Sequence, residues 1–102
     1  MLAAFESQRD ALTALCVRLG VRRMELFGSA ARGDFDPARS DLDFLVEFNS
    51  DAKRGALASY FDLKDELEAM FGRPVDLLMP AAIRNPFVQA DIDRTRCLLY
   101  AA

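Results

Sequence analysis

Apolar residues recur at three- and four-residue intervals from about Ala4 to Leu19, at Phe5, Leu12, Leu15, Cys16 and Leu19, with Gly20 next. This spacing predicts an amphipathic helix closed by the glycine. Val21 to Phe27 reads as a strand; Gly28 and Ser29 break it, and Ala30 to Arg32 are short helix formers. Residues 33–40 form a turn-rich loop holding Pro37. From Asp41 to Phe48 the period changes to two, which predicts a second strand with Leu42, Phe44, Val46 and Phe48 on one face. After a polar connection from Asn49 to Arg54, the residues Leu57, Tyr60, Phe61, Leu63, Leu67, Met70 and Phe71 trace a long helix that ends at Gly72. Its outer face carries Lys64, Asp65, Glu66 and Glu68. Pro74 opens a third strand, Val75 to Met79, and Pro80 ends it. A shorter helix runs from Asn85 or Pro86 to Asp93, and Arg94 and Thr95 turn into a last strand, Arg96 to Tyr100.

The order helix, strand, strand, helix, strand, helix, strand predicts an α/β (α+β) fold, a mixed central sheet of about four strands with packed helices. At 102 residues, 52% of them hydrophobic and 28% charged, the chain is expected to form one soluble domain over residues 1–102. No apolar run approaches the roughly 20 residues needed to span a bilayer. The first ten residues carry Glu6, Arg9 and Asp10 where a secretory signal is apolar, so a cytoplasmic location is expected. Cys16 and Cys97 both fall in apolar patterns and read as buried small hydrophobes rather than a bridge or a zinc site. Phe87, Val88, Leu98 and Tyr100 read as core in preference to interface.

Charge narrows the chemistry. A net charge of −3 argues against direct nucleic-acid binding, which needs a basic face to displace counterions from phosphates. The absence of histidine removes Ser-His-Asp and Cys-His nucleophile schemes and every histidine metal site. Carboxylates, hydroxyls, arginines and bound ions remain.

The run Gly28-Ser29-Ala30-Ala31-Arg32-Gly33 and, after the loop, Ser40-Asp41-Leu42-Asp43 supply them. On a strand Asp41 and Asp43 project the same way, about 7 Å apart, while Leu42 and Phe44 take the other side. Close carboxylates repel unless a cation neutralises them, and hard oxygen ligands select magnesium or manganese. A strand ending in Gly28-Ser29 before a short helix brings backbone N–H groups and a hydroxyl to an anion, here the β- and γ-phosphates of a triphosphate. Asp41 and Asp43 would hold metal against the α-phosphate, two ions serving an in-line displacement. Asp76, an acid in an otherwise apolar strand, completes the metal site and accepts the proton of the incoming hydroxyl. Arg32 either contacts phosphate or pairs with an acid such as Asp41. Ser40 is a turn residue, and Lys53 and Arg54 form a solvated loop.

These motifs, with Asp76 following one helix later, resemble the DNA polymerase β-like nucleotidyltransferases and, more narrowly, the minimal nucleotidyltransferase (MNT) antitoxins, over nearly the whole chain. The resemblance implies the minimal nucleotidyltransferase fold, ATP as co-substrate, and transfer of AMP to a tyrosine of a HEPN-type ribonuclease toxin with which the chain forms a hetero-oligomer. By the same resemblance Asp41 and Asp43 bind Mg2+, Asp76 activates the tyrosine hydroxyl, and Gly28 and Ser29 hold the ATP phosphates. Two alternatives stay open: a small hydroxylated acceptor bound with the help of a helical subunit, and a non-catalytic antitoxin that blocks its toxin by binding. The fold alone does not choose among them.

Overall fold

The computed structural model describes residues 2–32, 41–49 and 55–102. Helices α1 (Leu2–Ser7) and α2 (Arg9–Leu19) lead into strand β1 (Val21–Phe27), the short helix α3 (Ser29–Arg32) and strand β2 (Leu42–Phe48). Helix α4 (Ala56–Phe71), strand β3 (Val75–Leu78), a single 3-10 turn (Pro80–Ala82), helix α5 (Pro86–Thr95) and strand β4 (Cys97–Ala101) complete the chain. The four strands form one sheet in the order β3-β2-β1-β4. β1 runs antiparallel to both β2 and β4, and β2 runs parallel to β3. The expected mixed sheet with packed helices is therefore the architecture observed. The parallel pair requires a crossover, which α4 supplies.

The single N-terminal helix expected from about Ala4 to Leu19 is instead two. Gln8 leaves the helical region at φ −112° and ψ 15°, and its side-chain amide donates to the carbonyl of Met70 at 3.1 Å. This bond fixes the junction between α1 and α2 against the end of α4. Gly20 closes α2 at φ 73°. At the other end of the chain, α5 continues through Arg94 and Thr95, which were expected in a turn. Asn85 starts α5 by accepting the N–H of Phe87 on its side-chain oxygen at 2.8 Å.

Period-two alternation divides the sheet into two faces. Met24 and Leu26 of β1, Leu42, Phe44 and Val46 of β2, and Val75 and Leu77 of β3 join Phe5, Leu12, Leu63 and Leu67 in the main core under α1, α2 and α4. Phe5 meets Phe44 edge-on, with ring centroids 6.0 Å apart. The opposite face carries a smaller cluster of Phe27, Leu45 and Ile92, covered by α5 and the segment before it. Leu57 and Phe61, expected in the buried stripe of α4, are 71% and 55% exposed. Phe87 and Leu98, read as core, are 83% and 51% exposed. Leu98 lies on β4 at the edge of the sheet, and Phe87 in the first turn of α5 at the rim of an open cleft. Cys16 and Cys97 are unbridged, and burial pushes the Cys16 thiol up to about 12. No helix among the described residues is long and apolar enough to cross a membrane.

One charge is buried on the second face. Glu25 is 2% exposed and receives three short bonds: Arg96 Nε at 2.6 Å, Arg96 Nη2 at 3.0 Å and Arg23 Nε at 2.6 Å. The Arg96 fork, against the opposing effect of burial and helped by Arg23, holds the Glu25 carboxyl below its usual range.

Two outcomes follow for stability. Leu67→Ala, at a site with no exposure on α4, is expected to cost about 2–5 kcal/mol, whereas Leu57→Ala on the same helix stays within about 0.5 kcal/mol, as read by urea unfolding. Because the folded pKa of Glu25 lies below its unfolded value, the unfolded chain protonates first on acidification. The stabilisation from this group is complete above the unfolded pKa and is lost as pH falls through the folded one. Glu25→Gln is expected to lower stability by about 1–3 kcal/mol at neutral pH and to flatten the acid limb of a Tm-against-pH profile.

Candidate active site

At the end of the sheet where β1 stops, a cleft of about 610 Å3 opens on the second face, lined by Phe27, Asp43, Asp76, Tyr60, Phe87 and Asp91 among others. Register builds it. Asp43 is the partner of Phe27 on β1 and of Asp76 on β3, so the two carboxylates stand side by side on neighbouring strands. The apolar neighbours that anchor them, Leu42, Phe44, Val75 and Leu77, all point into the main core. Asp43 is half-buried and Asp76 exposed. Asp41 precedes the first residue of β2 and is exposed, outside the lining of the cleft. The structure thus brings together two of the three expected carboxylates. Among the described residues no three acids converge within reach of a single metal ion. The oxygen-only donor pair Asp43 and Asp76 nonetheless has the chemistry a hard divalent cation prefers.

Gly28 lies directly against this pair. Its φ is +76°, and a Cβ built on it would overlap Asp43 Oδ2 and stand 3.4 Å from Asp43 Cγ. Only glycine satisfies both the left-handed backbone and the close approach of the carboxylate. The Gly28 N–H donates to Thr95 Oγ1 at 3.0 Å, and the same hydroxyl donates to the carbonyl of Asp91 at 2.7 Å. Thr95 therefore ties the last turn of α5 to the end of β1. With its own N–H so engaged, Gly28 contributes space, and Ser29 stands next to it, half-buried at the start of α3. The expected contact of the Arg32 side chain falls outside the described part of the chain, as do Ser40, Lys53, Arg54 and the loop around Pro37.

Sequence reasoning missed Phe27, Tyr60, Asp91 and Thr95. Phe87, Val88 and Asp91 do share helical spacing on α5, and that signal was available. Tyr60 donates its hydroxyl to the Leu77 carbonyl at 2.9 Å, so its ring forms a fixed wall beside Asp76. A smaller hollow of about 210 Å3 farther along the same face is lined by Arg23, Glu25, Glu47 and Arg96, and both arginines there are paired with Glu25.

A family model described as a nucleotidyltransferase domain matches residues 9–97. The protein MJ1379 of Methanocaldococcus jannaschii, provisionally named a protein adenylyltransferase, is 37% identical over 73 residues, which are 72% of this chain and 71% of the relative. A solved structure provisionally described as a minimal nucleotidyltransferase superposes with a TM-score of 0.75 at 32% identity, covering 94% of this chain and 93% of that chain. A chain in the complex of a tri-AMPylated Shewanella oneidensis HEPN toxin with an MNT antitoxin superposes at TM-score 0.62 and 14% identity, covering 96% of this chain and 73% of that one; this likeness is one of fold. The family match across the strand that ends at Gly28, the strand that carries Asp43 and the strand that carries Asp76 places the chain in the nucleotidyltransferase domain family and, within it, among the minimal nucleotidyltransferases.

Proposed function

We propose that the chain is a protein adenylyltransferase that moves AMP from ATP onto a tyrosine of a HEPN-type toxin and thereby neutralises it. The observation that carries this reading is the register pairing of Asp43 with Asp76 beside the side-chain-free Gly28, at one open cleft. The name given to the M. jannaschii relative supports the reaction, and the solved complex of a tri-AMPylated HEPN toxin with an MNT antitoxin supports the acceptor.

Each residue has a part. Ser29 binds the β- and γ-phosphates at the end of β1, and Gly28 keeps that turn close to Asp43. Asp43 and Asp76 would hold Mg2+, and Asp41, the exposed residue just before β2, would have to turn toward them to join. When bound, the ion neutralises phosphate oxygens and lowers the pKa of a ligated hydroxyl. Asp76, exposed on the outermost strand of its side of the sheet, accepts the proton of the tyrosine hydroxyl. The phenolic oxygen then forms its bond to the α-phosphorus, the bond from that phosphorus to the bridging oxygen breaks, and pyrophosphate leaves with the electron pair. Tyr60 and Phe27 wall the reacting groups on two sides and exclude water from them.

Intact-mass analysis of the product of the adjacent gene, incubated with the chain, ATP and magnesium, tests this. Wild-type protein is expected to add one or more AMP units. Asp43→Asn and Asp76→Asn are expected to slow the addition by about 100-fold or more while leaving the complex intact. If Asp43→Asn silences the toxin as well as wild type does, the protein acts by occlusion and the proposal is wrong. Gly28→Ala adds a methyl group against the Asp43 carboxylate at positive φ. A loss of roughly 1–2 kcal/mol in stability, together with a fall in AMP transfer larger than that of a surface variant of equal Tm, is the expected result.

A further inference from the structure

The cleft does not end at Asp76. It continues past β3 into an apolar groove of about 550 Å3, formed by Leu57 and Tyr60 of α4, Leu77, Leu78 and Met79, and Ala82 of the 3-10 turn. Tyr60, Leu77 and Leu78 line both hollows, so groove and cleft are one continuous surface. Leu57 is 71% exposed at its mouth, and among the described residues no charged side chain lines it. The polar side-chain group that the described residues place in its wall, the Tyr60 hydroxyl, is already bonded to the Leu77 carbonyl.

Strand order gives this groove a direction. Gly28 and Ser29 follow β1, Asp43 is on β2, Asp76 is on β3, and the groove lies beyond β3 at the edge of the sheet. In phosphoryl and nucleotidyl transfer the entering and leaving oxygens lie on opposite sides of the reacting phosphorus. A pyrophosphate leaving toward Ser29 on the β1 side therefore requires an acceptor that enters from the β3 side. The geometry points to the groove lined by Leu57, Met79 and Ala82 as the docking site of the acceptor protein, which seats an apolar side chain next to the hydroxyl that is modified. A nucleobase fits this surface poorly, because its polar edges would find no free side-chain partner there among the described residues. An acidic segment is disfavoured as well, since the neighbouring cleft already carries Asp43, Asp76 and Asp91.

The inference rests on the adenylyltransferase reading, and the test separates the two. Leu57→Asp and Ala82→Asp each place a charge in the groove at exposed positions outside the carboxylate cleft, so folding is expected to be unaffected. Val17→Asp, at a 65% exposed site on α2, controls for added surface charge. For each variant, affinity for AMP-PNP with magnesium is measured by titration, and AMP transfer to the product of the adjacent gene is measured against acceptor concentration. The expected result is a rise of about tenfold or more in KM for the acceptor in Leu57→Asp and Ala82→Asp, with AMP-PNP affinity unchanged and Val17→Asp like wild type. Unchanged acceptor kinetics overturn the inference; a parallel loss of AMP-PNP affinity overturns it too and assigns the groove to nucleotide. If wild-type protein binds the product without modifying it, the catalytic reading fails on its own, and hydrogen exchange then decides the groove. Slowed exchange over residues 77–82 in the complex supports docking there, whereas unchanged exchange, or no complex, refutes it.

Discussion

Strand β2 has to satisfy both faces of the sheet at once, and the rest of the molecule is arranged around that demand. It is paired on both sides, with β1 and with β3. Leu42, Phe44 and Val46 are wholly buried on one face, while Asp43 and Leu45 look to the other. A slip of one residue would drive a carboxylate into the main core and turn Phe44 out to water, so the hydrophobic energy that sets the register also sets the position of the acid. Asp43 needs no special device to hold it in place: the three apolar side chains that alternate with it and their neighbours do so.

The close approach at Gly28 is the second constraint, and it depends on the first. A glycine in the left-handed region can sit against Asp43 only if β1 ends opposite Asp43, and the Phe27 to Asp43 pairing sets that end point. Thr95 then converts a permissive residue into a fixed one, because a buried N–H bonded to a hydroxyl cannot rotate without losing its partner. The same hydroxyl holds the Asp91 carbonyl, so the wall of the cleft formed by α5 and its floor formed by the sheet are connected at one atom. Glu25 and Arg96 repeat the connection a few ångströms along, joining the start of β4 to the middle of β1.

Strong local signals were legible in the chain. Gly20 and Gly72 end their helices, the apolar alternation of β2 is plain, and Asp76 stands out between Val75 and Leu77. The architecture of the sheet followed from the order of those elements. What was hidden depends on side chains that reach across the fold. Gln8 bonding to Met70 breaks a helix whose own periodicity is continuous, and nothing local announces it. Leu57 and Phe61 read as part of the apolar stripe of α4, but they share the outward face of Asp65, and at that end of the helix it is Ser59, 1% exposed, that takes the position facing the core. Glu68 reads as part of a solvated face, yet its Oε2 accepts the N–H of Val75 at 3.1 Å. The carboxylates on the strands were legible as a pattern, and Asp91 by its spacing from Phe87 and Val88; Tyr60 and Thr95 were not, since each reaches this region from a helix whose placement only the folded chain defines.

The Glu68 bond explains how so short a strand carries a site residue. β3 has four residues and, among the described residues, no further strand on its outer side. The N–H of Leu42 bonds to the carbonyl of Pro74 at 3.1 Å, so residues 74 and 76 direct their backbone toward β2 and residues 75 and 77 direct theirs away from it. An unprotected edge of this kind frays and recruits other chains. Here α4 supplies the missing partners from side chains: Glu68 takes the Val75 N–H and Tyr60 gives its hydroxyl to the Leu77 carbonyl. The two bonds bracket Asp76 and come from two positions on one rigid helix, whose Leu63 and Leu67 are anchored in the main core. The crossover that makes the strands parallel thus also clamps the outer one, leaving the Asp76 side chain exposed while its backbone is held on both sides. The role of base proposed for Asp76 calls for that combination of an open side chain and a fixed main chain, and here it comes from the helix rather than from another strand.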